Sequence, residues 1–236
     1  MGSKELEDNG QRWANLCFSK DKSGYFLKDC LGNQRPLRIY FSAPNLRRRA
    51  AQTGKSELLL KAIGAQNNLR VLDCTAGLGV DAYLMAAYGC HVTMLEQSPV
   101  LGLMLREALT RALLDPDASV IAERMRLQET NAVDFLNSYC RQTEDDGTEL
   151  AHSFDVIYID PMFPPRSKSA EVKGGMQILQ KFIGKTDNVK LLLEKAVATG
   201  IKRVVIKRPL RGGDIDGFTP SYQQKAKASR FDVYLQ

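Results

Sequence analysis

The chain has 236 residues, 33 Lys and Arg against 27 Asp and Glu, a formal charge of +6, and 44% hydrophobic residues. A chain of this size buries roughly 70% of its unfolded surface, which suits one large domain, or one domain with a small appendage, and argues against a disulfide scaffold. The five cysteines, at 17, 30, 74, 90 and 140, are odd in number and form no CxxC pair, so free thiols in a reducing compartment are expected. Only His91 and His152 could supplement them, and neither lies near a cysteine pair, so no metal site is expected. No apolar run approaches the roughly 18 residues of a bilayer span. The first 20 residues carry Glu5, Glu7 and Asp8 and no apolar core, so a cytoplasmic protein without a secretory leader or membrane contact is expected.

In chain order, Gly24–Asp29 and Leu37–Phe41 read as short strands around the turn cluster Leu31-Gly32-Asn33-Gln34, predicting a small β-hairpin subdomain over residues 1–56. Arg47-Arg48-Arg49 and a polar stretch through Lys55 follow, open to reading as a solvated face or as a phosphate-contacting patch. Residues 57–236 then alternate. Leu58–Ile63 is a helix stopped by Gly64, Arg70–Cys74 a strand, and Gly79–Tyr88 a helix with apolar residues on a 3.6 period, stopped by Gly89. Val92–Leu95 is a strand closing in Glu96, and Val100–Leu114 a long helix. A weak strand at Arg126–Gln128, a helix at Val133–Cys140 and an acidic loop at 143–148 come next. Phe154–Ile159 is a strongly apolar strand running into Asp160-Pro161; the helix Val189–Thr199, the strand Arg203–Ile206 and a last strand Phe231–Leu235 complete the chain. Strands alternating with long helices require crossover connections, hence an α/β fold with a mostly parallel sheet and helices on both faces.

Ligands of such a sheet sit beyond the strand C-termini, near the point where strand order reverses. Three signals fall there. Asp73-Cys74-Thr75-Ala76-Gly77-Leu78-Gly79 joins a strand to a helix as D-x-x-x-G-x-G, which is neither a dinucleotide fingerprint nor a P-loop. Its glycines allow a tight turn and close ligand approach, and Asp73 offers an acceptor to an ammonium or hydroxyl group. Glu96 ends the next strand, where a carboxylate accepts bonds from ribose hydroxyls. Asp160-Pro161-Met162-Phe163 follows the apolar strand; the carboxylate and the Pro161 carbonyl offer adjacent acceptors to an amino group, and Phe163 can stack on a planar ring. Pro161, Pro164 and Pro165 stiffen that loop.

Together these motifs resemble the S-adenosylmethionine-dependent methyltransferases, and Asp160–Phe163 is similar to the D/N-P-P-Y/F motif of enzymes that methylate exocyclic amines or amides, with Met162 in place of the second proline. The longer strings Asp73–Ala82, Met94–Glu96, Tyr158–Pro164, Lys168–Ala170, Val205–Pro209 and Arg230–Asp232 resemble the bacterial ribosomal RNA small subunit methyltransferase J family over about residues 40–235. The resemblance implies a Rossmann-like class I methyltransferase fold with a small N-terminal β-rich subdomain. It also implies methyl transfer from S-adenosylmethionine, leaving S-adenosylhomocysteine, to guanine N2 in 16S rRNA or the small ribosomal subunit. The cofactor positions it implies are Asp73, Ala76, Gly77, Gly79, Val80, Asp81, Glu96, Gln97, Asn131, Ala132 and Asp160. Val80 stands where the family often has Arg, and Asn131-Ala132 where it often has Ser.

Asp160, Pro161 and Phe163 are the expected catalytic residues, holding the amine and stacking on its base, with a fixed carboxylate stabilising the positive charge that develops on nitrogen. The base must be single-stranded or flipped out to reach them. Arg47, Arg48, Arg49, Arg166, Lys168, Lys173, Lys207, Arg208 and Arg211 are the candidate RNA contacts, several of them flanking predicted strand C-termini. The residues leave other acceptors open: adenine N6, cytosine N4 or a glutamine amide. A nicotinamide-dependent dehydrogenase would need a pyrophosphate-binding turn that residues 76–81 do not provide well. A non-catalytic RNA-binding assembly factor would not need Asp73, Gly77, Gly79, Glu96 and Asp160 together.

Overall fold

The computed structural model describes residues 7–8, 11–12, 15–52, 57–145, 154–161, 178–179, 182 and 188–236. Two short strands, β1 (Glu7–Asp8) and β2 (Gln11–Arg12), pair antiparallel, as do β3 (Leu16–Asp21) and β4 (Gly24–Asp29). The partner of Gly24–Asp29 is thus the strand before it and not Leu37–Phe41, which touches β4 through a single bridge at Leu27 and Leu37. The turn chemistry decides the pairing. Gly24 adopts φ +102°, the Asp21 carboxylate accepts the Ser23 amide (2.8 Å), and Arg38 clamps Asp21 through both guanidinium nitrogens. The hairpin also brings Cys17 and Cys30 to a Cα separation of 6.0 Å, within disulfide reach, and they are joined. The expectation of five free thiols therefore holds only for Cys74, Cys90 and Cys140.

The arginine run is helical where a polar stretch was expected. Helix α1 (Pro44–Gln52) opens on a proline, whose fixed φ and missing N–H suit a first helical turn, and buries only Ala50. Helix α2 (Leu58–Ile63) ends where Gly64 turns left-handed at φ +66° and caps it. The remaining elements follow as β5 (Arg70–Asp73), α3 (Val80–Ala87), β6 (His91–Glu96), α4 (Pro99–Leu113), α5 (Ser119–Ala122), β7 (Met125–Glu129), α6 (Ala132–Asp145), β8 (Val156–Ile159), α7 (Val189–Ala198), β9 (Arg203–Pro209), β10 (Tyr222–Lys225) and β11 (Ser229–Leu235). Helix α6 runs on through Asp145, into the stretch expected to be an acidic loop. The short α5 and the edge strand β10 were not anticipated.

The seven strands order as β10-β11-β9-β8-β5-β6-β7. Those from β9 to β7 are parallel, and β11 and β10 complete the sheet antiparallel. The chain lays β6 and β7 on one side of β5 and then returns to lay β8 and β9 on the other, so the strand order reverses between β5 and β8. Alternating residues feed two cores. Leu72, Leu95, Ile157, Ile159 and Ile206 meet Leu136, Leu192 and Leu193 of α6 and α7. Val71, Val92, Met94, Tyr158 and Val205 meet α2, α3 and α4, together with Leu16, Leu27, Leu37, Ile39 and Phe41 from the N-terminal segment. Val156 to Ile159 are at most 2% exposed, as a strand covered on both faces requires. Beside β11, Arg230 forms a two-pronged pair with the fully buried Asp232 (2.8 and 3.0 Å) and reaches back to Gly212, Gly213 and Asp214, tying down the β9–β10 connection.

Candidate active site

The reversal point places the C-terminal ends of β5, β6 and β8 around one cleft, lined by Thr75, Gly77, Glu96, Gln97, Asn131, Ala132, Asp160 and Pro161 among others. The turn after β5 shapes its wall. Gly77 and Gly79 take φ +54° and +69°. A Cβ on Gly79 would lie 2.9 Å from Phe41, whereas one on Gly77 would meet only the Thr75 carbonyl oxygen, at 3.9 Å. Gly79 therefore serves packing, and Gly77 keeps the wall thin.

Glu96 holds this turn. One carboxylate oxygen accepts the Gly77 amide (2.9 Å) and the other the Ser98 amide (2.8 Å). Ser98 in turn caps α4, its hydroxyl accepting the Leu101 amide. Opposite, the Asn131 carboxamide oxygen accepts the Val133 and Asp134 amides at the start of α6, and its nitrogen donates to Gln97 (2.7 Å).

Asp160 and Lys207 meet because β8 and β9 pair in parallel with Ile159 opposite Ile206, so the next residue of each strand falls at the same level. Lys207 Nζ donates to Asp160 Oδ2 (2.7 Å) and to Asp81 Oδ2 (2.9 Å), and the Tyr158 hydroxyl donates to the same Asp81 oxygen (2.7 Å). The Asp160 amide donates to the Thr75 hydroxyl (2.6 Å), locking the strand end to the glycine turn. Burial pushes the Asp160 carboxyl up to about 6, with Lys207 opposing the rise and Asp81 adding to it. Burial would also raise Asp81, but Lys207, Tyr158 and Arg49 outweigh it and hold Asp81 low. Asp73 lies behind the turn, 2% exposed, its carboxylate accepting the Thr75 amide (3.0 Å); burial raises it to about 8.

The cofactor positions implied by the resemblance therefore divide. Gly77, Glu96, Gln97, Asn131, Ala132 and Asp160 share the cleft. Asp73 and Ala76 are buried in the turn beneath it, and Val80 faces a separate depression beside Phe41 and Arg49. Of the expected catalytic group, Asp160 and Pro161 line the cleft; Phe163 lies outside the described residues. Among the expected RNA contacts, Arg47 pairs with Asp117 and Arg49 with Glu57, while Arg48 and Arg211 are exposed. Arg208 donates to the Gly213 carbonyl, and Lys207 is turned inward onto the two carboxylates. Arg166, Lys168 and Lys173 lie outside the described residues. Sequence reasoning missed Thr75 and Tyr158 and gave Lys207 the wrong neighbours.

A larger cavity of about 780 Å³ opens at the opposite, N-terminal ends of the strands, between Arg70, His91 and Arg126 on the sheet and Phe135, Tyr139 and Phe154. It has no glycine turn, which sets it apart from the cleft. The cleft's residues suit a nucleoside carrying an amino-acid tail. Leu95, Ala132, Val133 and Leu192 give it apolar walls, Gly77 allows close approach, and Glu96 is fixed as an acceptor beside them.

A family model described as "Putative SAM-dependent methyltransferase" matches residues 11–236. The ribosomal RNA small subunit methyltransferase J of Nitrosococcus oceani is 42% identical over 205 residues, covering 85% of this chain and 76% of that protein. The protein of the same name from Dechloromonas aromatica is 40% identical, covering 84% and 78%. The crystal structure of a SAM-dependent methyltransferase from Neisseria gonorrhoeae superposes with a TM-score of 0.68 at 32% identity, covering 89% of this chain and 78% of that one. With its doubly covered, mostly parallel sheet and its cleft at the reversal point, the chain belongs to the ribosomal RNA small subunit methyltransferase J family of S-adenosylmethionine-dependent methyltransferases.

Proposed function

We propose that this protein methylates the exocyclic N2 of a guanine in 16S rRNA of the bacterial small ribosomal subunit, in the cytoplasm. The observation that carries the reading is the convergence of Gly77, Glu96, Asp160 and Pro161 on one cleft at the reversal point. When bound, S-adenosylmethionine supplies a methyl group already activated on a sulfonium, so the protein's task is mainly to position the reactants, an effect worth roughly 7–11 kcal/mol in favourable cases. Gly77, Gln97, Asn131 and Ala132 would line the nucleoside end. Glu96, held at the cleft wall by the Gly77 and Ser98 amides, would accept ribose hydroxyls.

Asp160 and the Pro161 carbonyl would receive the guanine amine. With Oδ2 accepting from Lys207, Asp160 would offer Oδ1 to an N–H of the amine. An ionised carboxylate there favours a pyramidal nitrogen and stabilises its growing positive charge. The proton can leave to water after transfer. Phe163 would stack on the base, and Arg47, Arg48, Arg49, Arg166, Lys168, Arg208 and Arg211 would contact RNA. Residues 1–56 form, on this reading, a β-rich appendage seated on the catalytic unit of residues 57–236.

The test is incubation of the protein and labelled S-adenosylmethionine with undermethylated small-subunit particles and, separately, with naked rRNA, followed by nucleoside mass analysis. N2-methylguanosine is expected; label in N6-methyladenosine, N4-methylcytidine or protein glutamine would overturn the acceptor. Asp160→Ala should keep measurable S-adenosylhomocysteine binding and lose methylation by orders of magnitude.

A further inference from the structure

Lys207 is the one described residue whose ammonium touches both Asp160 and Asp81, and nothing in the methyl-transfer scheme above requires it. Its side chain is 29% exposed, and its two carboxylate partners are 34% and 18% exposed. A solvated phosphate-binding lysine would extend outward; this one spends its hydrogen bonds on two acids, of which Asp160 lines the cleft. The two acids come from different parts of the fold. Asp81 stands in the first turn of α3, directly after the glycine turn, and Asp160 at the end of β8. Tyr158, one turn of the pleat before Asp160, fixes Asp81 from below. The ammonium therefore joins the glycine-turn side of the cleft to the side that carries the acceptor carboxylate.

We propose that Lys207 is a positioning residue for the methyl transfer: shared between Asp81 and Asp160, it keeps Asp160 ionised and turns its second oxygen toward the incoming amine. The inference rests on the reading of Asp160 as the amine acceptor. Its electrostatics follow from the contacts. Two carboxylates this close, each hydrogen-bonded to the same ammonium, repel each other, and a cation between them is what allows both to remain charged. Without Lys207, burial and the Asp81 charge both favour a proton on Asp160. A protonated Asp160 presents an O–H where the amine needs an acceptor. The other ionisable groups around this pair are Asp73 and Glu96 on the adjoining strand ends, Tyr158 on β8 itself and Arg49 from α1, and of these only Arg49 is cationic.

Carboxylate titrations by NMR on protein labelled with 13C at Asp Cγ test this directly, with the Asp160 signal assigned by its loss in Asp160→Asn. In Lys207→Met the Asp160 midpoint should rise by at least one pH unit above wild type, and Lys207→Arg should restore most of the difference. Asp81→Asn gives the opposite arm and keeps a partner for the Tyr158 hydroxyl. With the competing charge gone and the lysine left to Asp160 alone, the midpoint should fall. In single-turnover methylation, Lys207→Met should lose at least tenfold at pH 7 and recover as pH approaches 9, while binding S-adenosylhomocysteine within threefold of wild type. An Asp160 midpoint that moves in neither variant would overturn the proposal, as would a Lys207→Met rate reduced equally at every pH, the mark of a packing role. Should wild-type protein bind S-adenosylhomocysteine yet methylate no guanine, the acceptor assignment falls, and the titrations still decide the lysine.

Discussion

Gly77 and Gly79 stand two residues apart in the same turn, both left-handed, at φ +54° and +69°. A β-carbon in that region costs roughly 1–2 kcal/mol, so alanine at either position loses about that much. Their surroundings then separate them. At Gly79 the new carbon would lie 2.9 Å from Cζ of Phe41 and 3.0 Å from Cδ2 of Leu105. Phe41 and Leu105 are 2% and 0% exposed, so neither can swing aside, and overpacking adds about 1–3 kcal/mol. Gly79→Ala is therefore expected to lose roughly 2–5 kcal/mol of stability, a large part of the total for an ordinary domain. At Gly77 the methyl group would enter open space in the cleft. Gly77→Ala should fall by only about 1–2 kcal/mol in a urea melt, yet lose S-adenosylhomocysteine affinity by at least about tenfold in calorimetry, the effect of a single methylene-sized clash on the ligand. Equal stability losses in the two variants, or wild-type affinity in Gly77→Ala, would refute the division between a packing glycine and a ligand-wall glycine.

Glu96→Gln leaves one acceptor oxygen for two backbone amides and turns an NH2 group toward the other, so a loss of about 1–3 kcal/mol in a urea melt is expected, together with weaker S-adenosylhomocysteine binding; unchanged binding would remove Glu96 from the cofactor site. Arg230→Met strands Asp232, whose side chain is 0% exposed, and should cost about 3–5 kcal/mol, with part recovered when Asp232→Leu is added. Asp73 supplies a pH dependence. Burial lifts its carboxyl from 3.8 to about 8, so between those values the native state holds a proton that the unfolded chain has released, and stability falls as pH rises. Asp73→Asn keeps the acceptor for the Thr75 amide and abolishes that slope. The variant should gain on wild type between pH 5 and pH 8.5 in urea melts, and parallel profiles would show that Asp73 is ionised in the native protein.

The succession of strands and helices from Leu58 onward was legible because each boundary carries its own chemistry. Gly64 and Gly200 turn left-handed where α2 and α7 end, Ser98-Pro99 opens α4, and the apolar runs at 156–159 and 204–206 are strands buried on both faces. The N-terminal segment was less legible for the same kind of reason. Both Leu31-Gly32-Asn33-Gln34 and Asp21-Lys22-Ser23-Gly24 carry turn formers, and the second is the hairpin loop, because its Asp21 carboxylate bonds the loop amide and anchors Arg38. Helix α1 shows too few apolar residues to announce itself, since it buries one alanine. In the cleft, the acids at strand ends could be read one by one, but the partner of Asp160 could not. Lys207 reaches it through the β8–β9 register, a tertiary fact that only the alignment of Ile159 with Ile206 reveals.

That register also bears on how a polyanion can approach an acidic cleft. Asp73, Glu96 and Asp160 at neighbouring strand ends gather with Asp81 in the first turn of α3, an arrangement that by itself would repel RNA. Three local devices reduce the repulsion. Asp73, raised to about 8, holds its proton at neutral pH. Glu96 is 8% exposed and turned onto the Gly77 and Ser98 amides. Lys207 sets one positive charge between the remaining two. What negative charge is left faces the place where, on the proposed reading, a sulfonium would sit, so a loaded cleft repels phosphate less than an empty one. On the proposed reading, the exposed Arg48 and Arg211 would meet the RNA backbone while these partners occupy the acids. Acids offset in place by a proton, by backbone amides and by one lysine are thus what an enzyme needs if it is to hold a cationic donor and admit a polyanionic acceptor at the same site.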